Sequence, residues 1–194
     1  YMQGCLDGRE LQGGQLRFGN NIDQFENLYS SISAQMGLLP NDSVLGIAPH
    51  SLRAVSKDGL HACINIATSG PIHIHAAEQV GEVKEVKETL GIPPVRWLLD
   101  KLPVDHRWCL IHATHMDNME VKDLALSRAV AGLCPITEAN LGDGIFEASQ
   151  FMQHGGTFGI GADSNVKIGL SEELRMLEVS QRLRDRQRVV LSSD

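Results

Sequence analysis

The stretch PIHIHAAEQ (71–79) places His73, His75 and Glu78 within a few residues of one another. A neutral imidazole donates an electron pair to a divalent metal. A nearby carboxylate can carry protons to and from a metal-bound water. The same residue types also make a buried polar pair at a strand end, so this segment alone leaves both readings open. On a strand, His73 and His75 share a face and Glu78 falls in the turn beyond. IHATHM adds His112 and His115, three apart at a second strand end. One histidine there reads as structural, whereas two on a rim that already holds His75 and Glu78 favour a functional reading. GIGADS adds Asp163, expected where another strand stops, with glycines that let the backbone crowd the interior. A carboxylate facing such a rim is a metal ligand or a base for a bound water. Its bland alternative is a helix N-cap, a job expected to fall to Ser171. APHSLRAVS (48–56) adds His50 and Arg53. Arg53 suits a substrate carboxylate gripped bidentately; a surface arginine has equal weight.

These residues need elements to position them. Short apolar runs at 43–50, 70–78, 107–114, 129–135 and 157–164 have strand length, several of them bounded by Gly, Pro, Asp or Ser. Helical periodicity covers 21–37, 56–68, 79–90, 94–102, 118–129, 144–155 and 171–186. Apolar strands alternating with helices predict a parallel sheet covered on both faces. The chemistry-bearing residues fall at the C-terminal ends of the strands, where a (β/α)₈ barrel builds its active site. A doubly wound sheet also binds there, but its GxGxxG turn is absent from the sequence. The expected fold is therefore α/β, an incomplete (β/α)₈ TIM-type barrel. Its single partial domain over 1–194 divides into a long loop and helix (1–40) and five strands with their helices (41–194). The Gly-rich stretch 8–20 reads as a long functional loop.

Composition narrows the partners. The chain has 194 residues and a net charge of −7, with no basic run, which excludes nucleic acid and anionic membrane as expected partners. No apolar stretch reaches the roughly 20 residues of a membrane span, and no signal peptide is visible. Four widely spaced cysteines suit buried thiols in a reducing cytoplasm better than a disulfide framework. The ends, YMQGC and VVLSSD, read like cuts in something longer.

HAAE, HATH and GADS together resemble strands 5, 6 and 8 of the amidohydrolase superfamily. The longer strings GIAPHSLRAVS, RWCLIHATHM, AVAGLCPITEANLGDGIF and EELRMLEVSQRLRDR resemble its formimidoylglutamate deiminase family, from about residue 40 onward. The resemblance implies zinc, with iron or another divalent metal as the alternative, held by His75 and Asp163. Asp163 would also take a proton from bound water, His112 would hold or polarise that water, and Glu78 would pass protons to the departing nitrogen. His50 and Arg53 would meet a small substrate bearing carboxylates, His115 would lie behind the site, and 137–146 would be a pocket-shaping loop. The implied reaction is hydrolysis of the formimino C–N bond of N-formimino-L-glutamate to N-formyl-L-glutamate and ammonia, in histidine degradation. Two departures stand out: the superfamily's strand-1 His-x-His has no counterpart, and Asn165 stands where a histidine is expected after GADS. The isolated chain is thus expected to be inactive and the parent a cytoplasmic homodimer. The alternatives are a deaminase acting on a purine-like ring, and a non-catalytic or dimerising fragment.

Overall fold

The computed structural model describes residues 1–4, 6, 9–163 and 167–191. The chain divides into two units, Tyr1–His75 and Ala76–Asp194, with the boundary inside the first strand.

In the first unit, a 3-10 helix (Gly13–Phe18) lies within the Gly-rich stretch, whose end a parallel bridge between Met2 and Gly19 ties down. Helix α1 (Ile22–Ser33) starts on a reciprocal cap. Asn21 accepts the Gln24 N–H at 2.8 Å, and the Gln24 side chain accepts the Asn21 N–H at 2.9 Å. Helix α2 (Lys57–Ile66) starts on Ser56, whose hydroxyl accepts the Gly59 N–H, and packs against α1. Strand β1 (Ile72–Ala76) buries Ile72 and Ile74 while His73 is exposed and His75 half-buried, so both histidines share the less buried face. His73 lies within the strand as expected, but is not interior to the protein.

The run 43–50 is not a strand. It contributes one isolated parallel bridge, Ile47 to Ile72, and Ser51 just beyond it makes a second, to His75. Pro49 has no N–H to give to a ladder. The contacts that remain run from Ile47 N–H to the Pro71 carbonyl, from His73 N–H to Ile47, and from His75 N–H to His50. Glycine permits this approach: a Cβ on Gly70 would fall 1.8 Å from the Leu45 carbonyl oxygen.

In the second unit, α3 (Val80–Leu90), α4 (Pro94–Lys101), β2 (Trp108–His112), α5 (Asn118–Ser127), β3 (Val130–Leu133), α6 (Pro135–Leu141), α7 (Ala148–Gln153), β4 (Thr157–Ile160) and α8 (Leu170–Asp185) follow in order. β2, β3 and β4 pair in parallel, Leu110 opposite Ala131 and Ala131 opposite Phe158. The Ala113 N–H reaches the carbonyl of Ala76 at the end of β1, and the sheet runs β1-β2-β3-β4. Burial alternates along β1, β2 and β3, so the expected double-sided cover is replaced by one fully buried face and one half-buried face. Trp108, Leu110, Leu133, Phe146 and Phe151 are fully buried.

Three boundaries differ from the sequence reading. α7 begins at Ala148 rather than at 144, because Gly144 takes φ 144° and the Phe146 carbonyl accepts the Gln181 side-chain N–H. Residues 137–141, expected in a loop, continue α6, which Pro135 starts at its first turn. α8 is preceded by Gly169 as its cap, with Ser171 already inside the helix.

Candidate active site

Strand ends in this protein share an unusual backbone. Ala77 after β1, His112 at the end of β2, Ala113 just beyond it, and Asp163 after β4 all take positive φ, at 53°, 69°, 48° and 46°. For residues with a Cβ that conformation costs about 1–2 kcal/mol each and persists where surrounding structure over-determines it, as at functional sites. At β2 the Ala113 N–H bonds to the Ile111 carbonyl, so His112 is the centre of a three-residue turn. The HATH motif is thus a strand that turns sharply on its first histidine.

Buried glutamates at helix starts hold these ends. Glu82, 2% exposed in the first turn of α3, accepts the Ala77 N–H at 3.0 Å and the Glu78 N–H at 2.9 Å. Glu120, in the first turn of α5, accepts Asp117 N–H and Arg96 N–H. Glu138, in the first turn of α6, accepts Cys134 N–H at 2.9 Å. Glu173 in α8 accepts Ile136 N–H. Each carboxylate satisfies amides at or just before a helix start that would otherwise lack an intrahelical partner.

In the second unit, His112 is 1% exposed and lies between two carboxylates. Its Nδ1 is 3.1 Å from Glu138 Oε1, and its Nε2 is 3.6 Å from Glu78 Oε1. Burial works against a charged ring, but the Glu138 hydrogen bond and the charges of Glu78, Glu138 and Asp163 outweigh it and raise its pKa. Asp163 itself is exposed, three residues beyond β4. A Cβ on Gly159 or Gly161 would meet only ordinary contacts at 3.8 and 3.6 Å, so the GIGADS glycines are not there to relieve crowding. His115 stands behind this group, its Nε2 donating to the Asp143 carbonyl at 2.8 Å, while Gln79 donates to Asp143 Oδ1. Ser164 and Asn165 lie outside the described residues.

In the first unit, His50 and His75 stack at 4.8 Å between ring centroids. His75 Nδ1 lies 2.9 Å from the His50 carbonyl oxygen, so Nδ1 carries the proton. Ser51 is fully buried beside them, 3.0 Å from His50 Nδ1, and Arg53 is half-buried on the same turn. Burial first, then the charges of His75, Arg53 and the N-terminus, push the His50 pKa down to about 4. The unfolded chain therefore takes up the His50 proton as pH falls below about 6.5 while the folded chain does not. Stability conferred above pH 6.5 is lost as pH falls toward 4, by about 2 kcal/mol after allowance for partial exposure. Urea denaturation of the metal-free chain between pH 7 and 4 checks this; His50→Gln should flatten the decline.

The structure thus gathers His50, Arg53 and His75 in one unit and Glu78, His112 and Asp163 in the other. Glu138 is the member that sequence reading missed. Its signal was present: an acidic residue three positions into a helix that Pro135 begins, after an apolar strand.

The donor types suit a divalent metal in part. With its Nδ1 on a backbone carbonyl, His75 has the second-sphere arrangement that metal-binding histidines use. Yet among the described residues no group of three or more His, Cys, Asp or Glu side chains is placed to hold a metal ion. A catalytic zinc takes three protein ligands, so the described residues supply an incomplete set.

The model of the Amidohydrolase family matches residues 21–193, and the chain belongs to that family. Over its whole length it is 44% identical to formimidoylglutamate deiminase of Pseudomonas aeruginosa, of which it spans 43%. It is 31% identical, over 72% of its length, to 35% of 5-methylthioadenosine/S-adenosylhomocysteine deaminase 2 of Archaeoglobus fulgidus. Among solved structures, an amidohydrolase from Brucella melitensis superposes on the whole chain with a TM-score of 0.94 at 49% identity, again over 43% of that protein. An adenosine deaminase from Xanthomonas campestris, solved with bound zinc, shares the fold at a TM-score of 0.79 and 21% identity, covering 88% of this chain and 40% of that protein. Among the described residues no helix is long and apolar enough to cross a membrane.

Proposed function

We propose that this chain is the strand-4-to-8 part of a zinc-dependent iminohydrolase that converts N-formimino-L-glutamate to N-formyl-L-glutamate and ammonia. The observation that carries the reading is His112 held between Glu78 and Glu138 at a strained strand end, in a chain 44% identical to a formimidoylglutamate deiminase. In the reaction a water oxygen bonds to the formimino carbon, the carbon–nitrogen bond to the terminal imino nitrogen breaks, and that nitrogen leaves as ammonia with the protons it has gained. A zinc ion held by His75, Asp163 and donors from outside this chain would supply a water whose pKa is lowered to about 7. Glu78, on the face of His112 Nε2, receives a proton from the attacking water and returns it to the nitrogen. His112 orients the water, and Asp163 takes that oxygen's other proton at its exposed carboxylate and releases it to the departing nitrogen, so both protons of the water end on ammonia. Arg53 grips a carboxylate of the glutamate moiety through two parallel N–H···O bonds, with His50 beside it.

The A. fulgidus relative gives the second reading its specific support: hydrolytic loss of an amino group from a purine ring, which brings no glutamate carboxylates for Arg53. The two are separated by ammonia release from N-formimino-L-glutamate and from a methylthioadenosine, in the full-length protein carrying this segment. Arg53→Ala is expected to raise KM for formiminoglutamate by roughly 10²-fold, the loss of one charge-assisted pair. Unchanged KM on that substrate, or turnover of the nucleoside alone, would reject the formimino reading. The 194-residue chain by itself is expected to release no ammonia, which zinc titration and the same assay check.

A further inference from the structure

Glu138 serves two bonds at once, and only one of them is explained by folding. Its carboxylate, buried to 4% side-chain exposure, accepts the Cys134 N–H where β3 enters α6. The same Oε1 atom receives His112 Nδ1 from the end of the neighbouring strand. The comparable glutamates accept backbone amides: Glu82 those of Ala77 and Glu78 before α3, Glu120 those of Asp117 before α5 and Arg96 in α4, and Glu173 that of Ile136 in α6. Glu138 adds a side chain of the candidate machinery to that pattern.

We propose that Glu138 is a positioning residue, which fixes the proton of His112 on Nδ1 and aims Nε2 at Glu78. An ionised carboxylate only accepts hydrogen bonds, so the nitrogen facing it carries the proton, and the opposite nitrogen becomes the one that meets Glu78 and the reacting water. A carboxylate behind a histidine sets the tautomer and ring plane in this way in other hydrolases. The strained turn at His112 adds a reason for such a tether: with φ 69° the backbone gives the ring a direction that a free rotor would not keep. Among the described residues, carboxylates act on the ring from three elements: Glu138 from α6 and Glu78 from the turn after β1 lie beside its two nitrogens, and the charge of Asp163 beyond β4 adds to theirs. Removing the charge of Glu138 therefore lowers the stability of the protonated ring, whereas removing its hydrogen bond frees the tautomer.

The role of His112 in catalysis rests on the iminohydrolase reading, but the test does not. ¹⁵N-histidine NMR of the 194-residue chain reports the proton position on each ring nitrogen and the titration of His112. In the unmodified chain, above its titration, Nδ1 is expected to carry the proton. Glu138→Gln keeps an oxygen for the Cys134 amide and is expected to move the His112 titration to lower pH. Glu138→Leu is expected to convert the single tautomer to a mixture or to its opposite. Glu173→Gln alters another buried helix-start glutamate that contacts no histidine, and should lower stability while leaving the His112 signals in place. Unchanged tautomer and titration in both Glu138 variants would overturn the proposal, as would the proton on Nε2 in the unmodified chain, or an equal shift in Glu173→Gln. If the ring responds as expected but formiminoglutamate is never hydrolysed by the full-length protein, the positioning role stands and the proposed reaction falls.

Discussion

Gly70→Ala is expected to destabilise the first unit by about 3 kcal/mol or more, at the upper end of what overpacking costs. The added Cβ would lie 1.8 Å from the Leu45 carbonyl oxygen and 3.1 Å from the Gly46 Cα, both backbone atoms that cannot swing aside. To admit it, the segment before β1 must withdraw, which breaks the bonds from His73 N–H to Ile47 and from His75 N–H to His50. Hydrogen exchange at those two amides is the direct measurement, since both tryptophans, Trp97 and Trp108, belong to the second unit. Gly81→Ala, at an α3 position with open space around the new methyl, should instead stabilise by a few tenths of a kcal/mol up to about 1. Equal protection of the His73 and His75 amides before and after the Gly70 change would show that the close approach is not required.

Glu82→Ala should cost the second unit about 3 kcal/mol. It strands two amides, those of Ala77 and Glu78, each worth about 1–3 kcal/mol when buried and unbonded. It also removes what holds Ala77 at φ 53°. Tryptophan fluorescence during urea denaturation reads the loss through Trp108 in β2 and Trp97 in α4. Glu82→Gln, which keeps one acceptor oxygen, should lose roughly half as much. An alanine variant as stable as the parent chain would show that water serves these amides equally well. Because Glu78 follows directly, the same change should disturb the approach of its carboxylate to His112, now 3.6 Å.

The elements most legible in the sequence are those with a local cause. The cap Asn21 with Gln24, Ser56 before α2, Asp117 with Glu120 before α5 and Pro94 at the start of α4 are short-range signals, and each helix starts where they point. Strands β1 to β4 lie inside the apolar runs that predicted them. The run 43–50 misled because apolar content says nothing of a partner ladder, and Pro49 allows pairing only at isolated positions. The histidines and carboxylates at strand ends were legible by type and place. Glu82, Glu138 and Glu173 were not, because an acidic residue in a helix's first turn reads as an exposed partner for the dipole. Their burial is decided by which strand end lies beneath them, a tertiary fact that periodicity does not carry. Cys63 and Cys134 are buried thiols as composition suggested, both pushed up by burial to about 12; Cys5 lies outside the described residues.

Backbone handedness at the strand ends limits the alphabet available to evolution there before any chemistry is considered. Positions 77, 112, 113 and 163 carry alanine, histidine, alanine and aspartate in the left-handed region, where a branched β-carbon collides with its own peptide. Valine, isoleucine and threonine are thereby closed off, while glycine, asparagine and aspartate remain open. Variation among proteins sharing these bends must then be drawn from residues outside them, such as those of the turn that carries His50 and Arg53. The sheet dictates where the chain bends, and the bends dictate which side chains can stand at the strand ends.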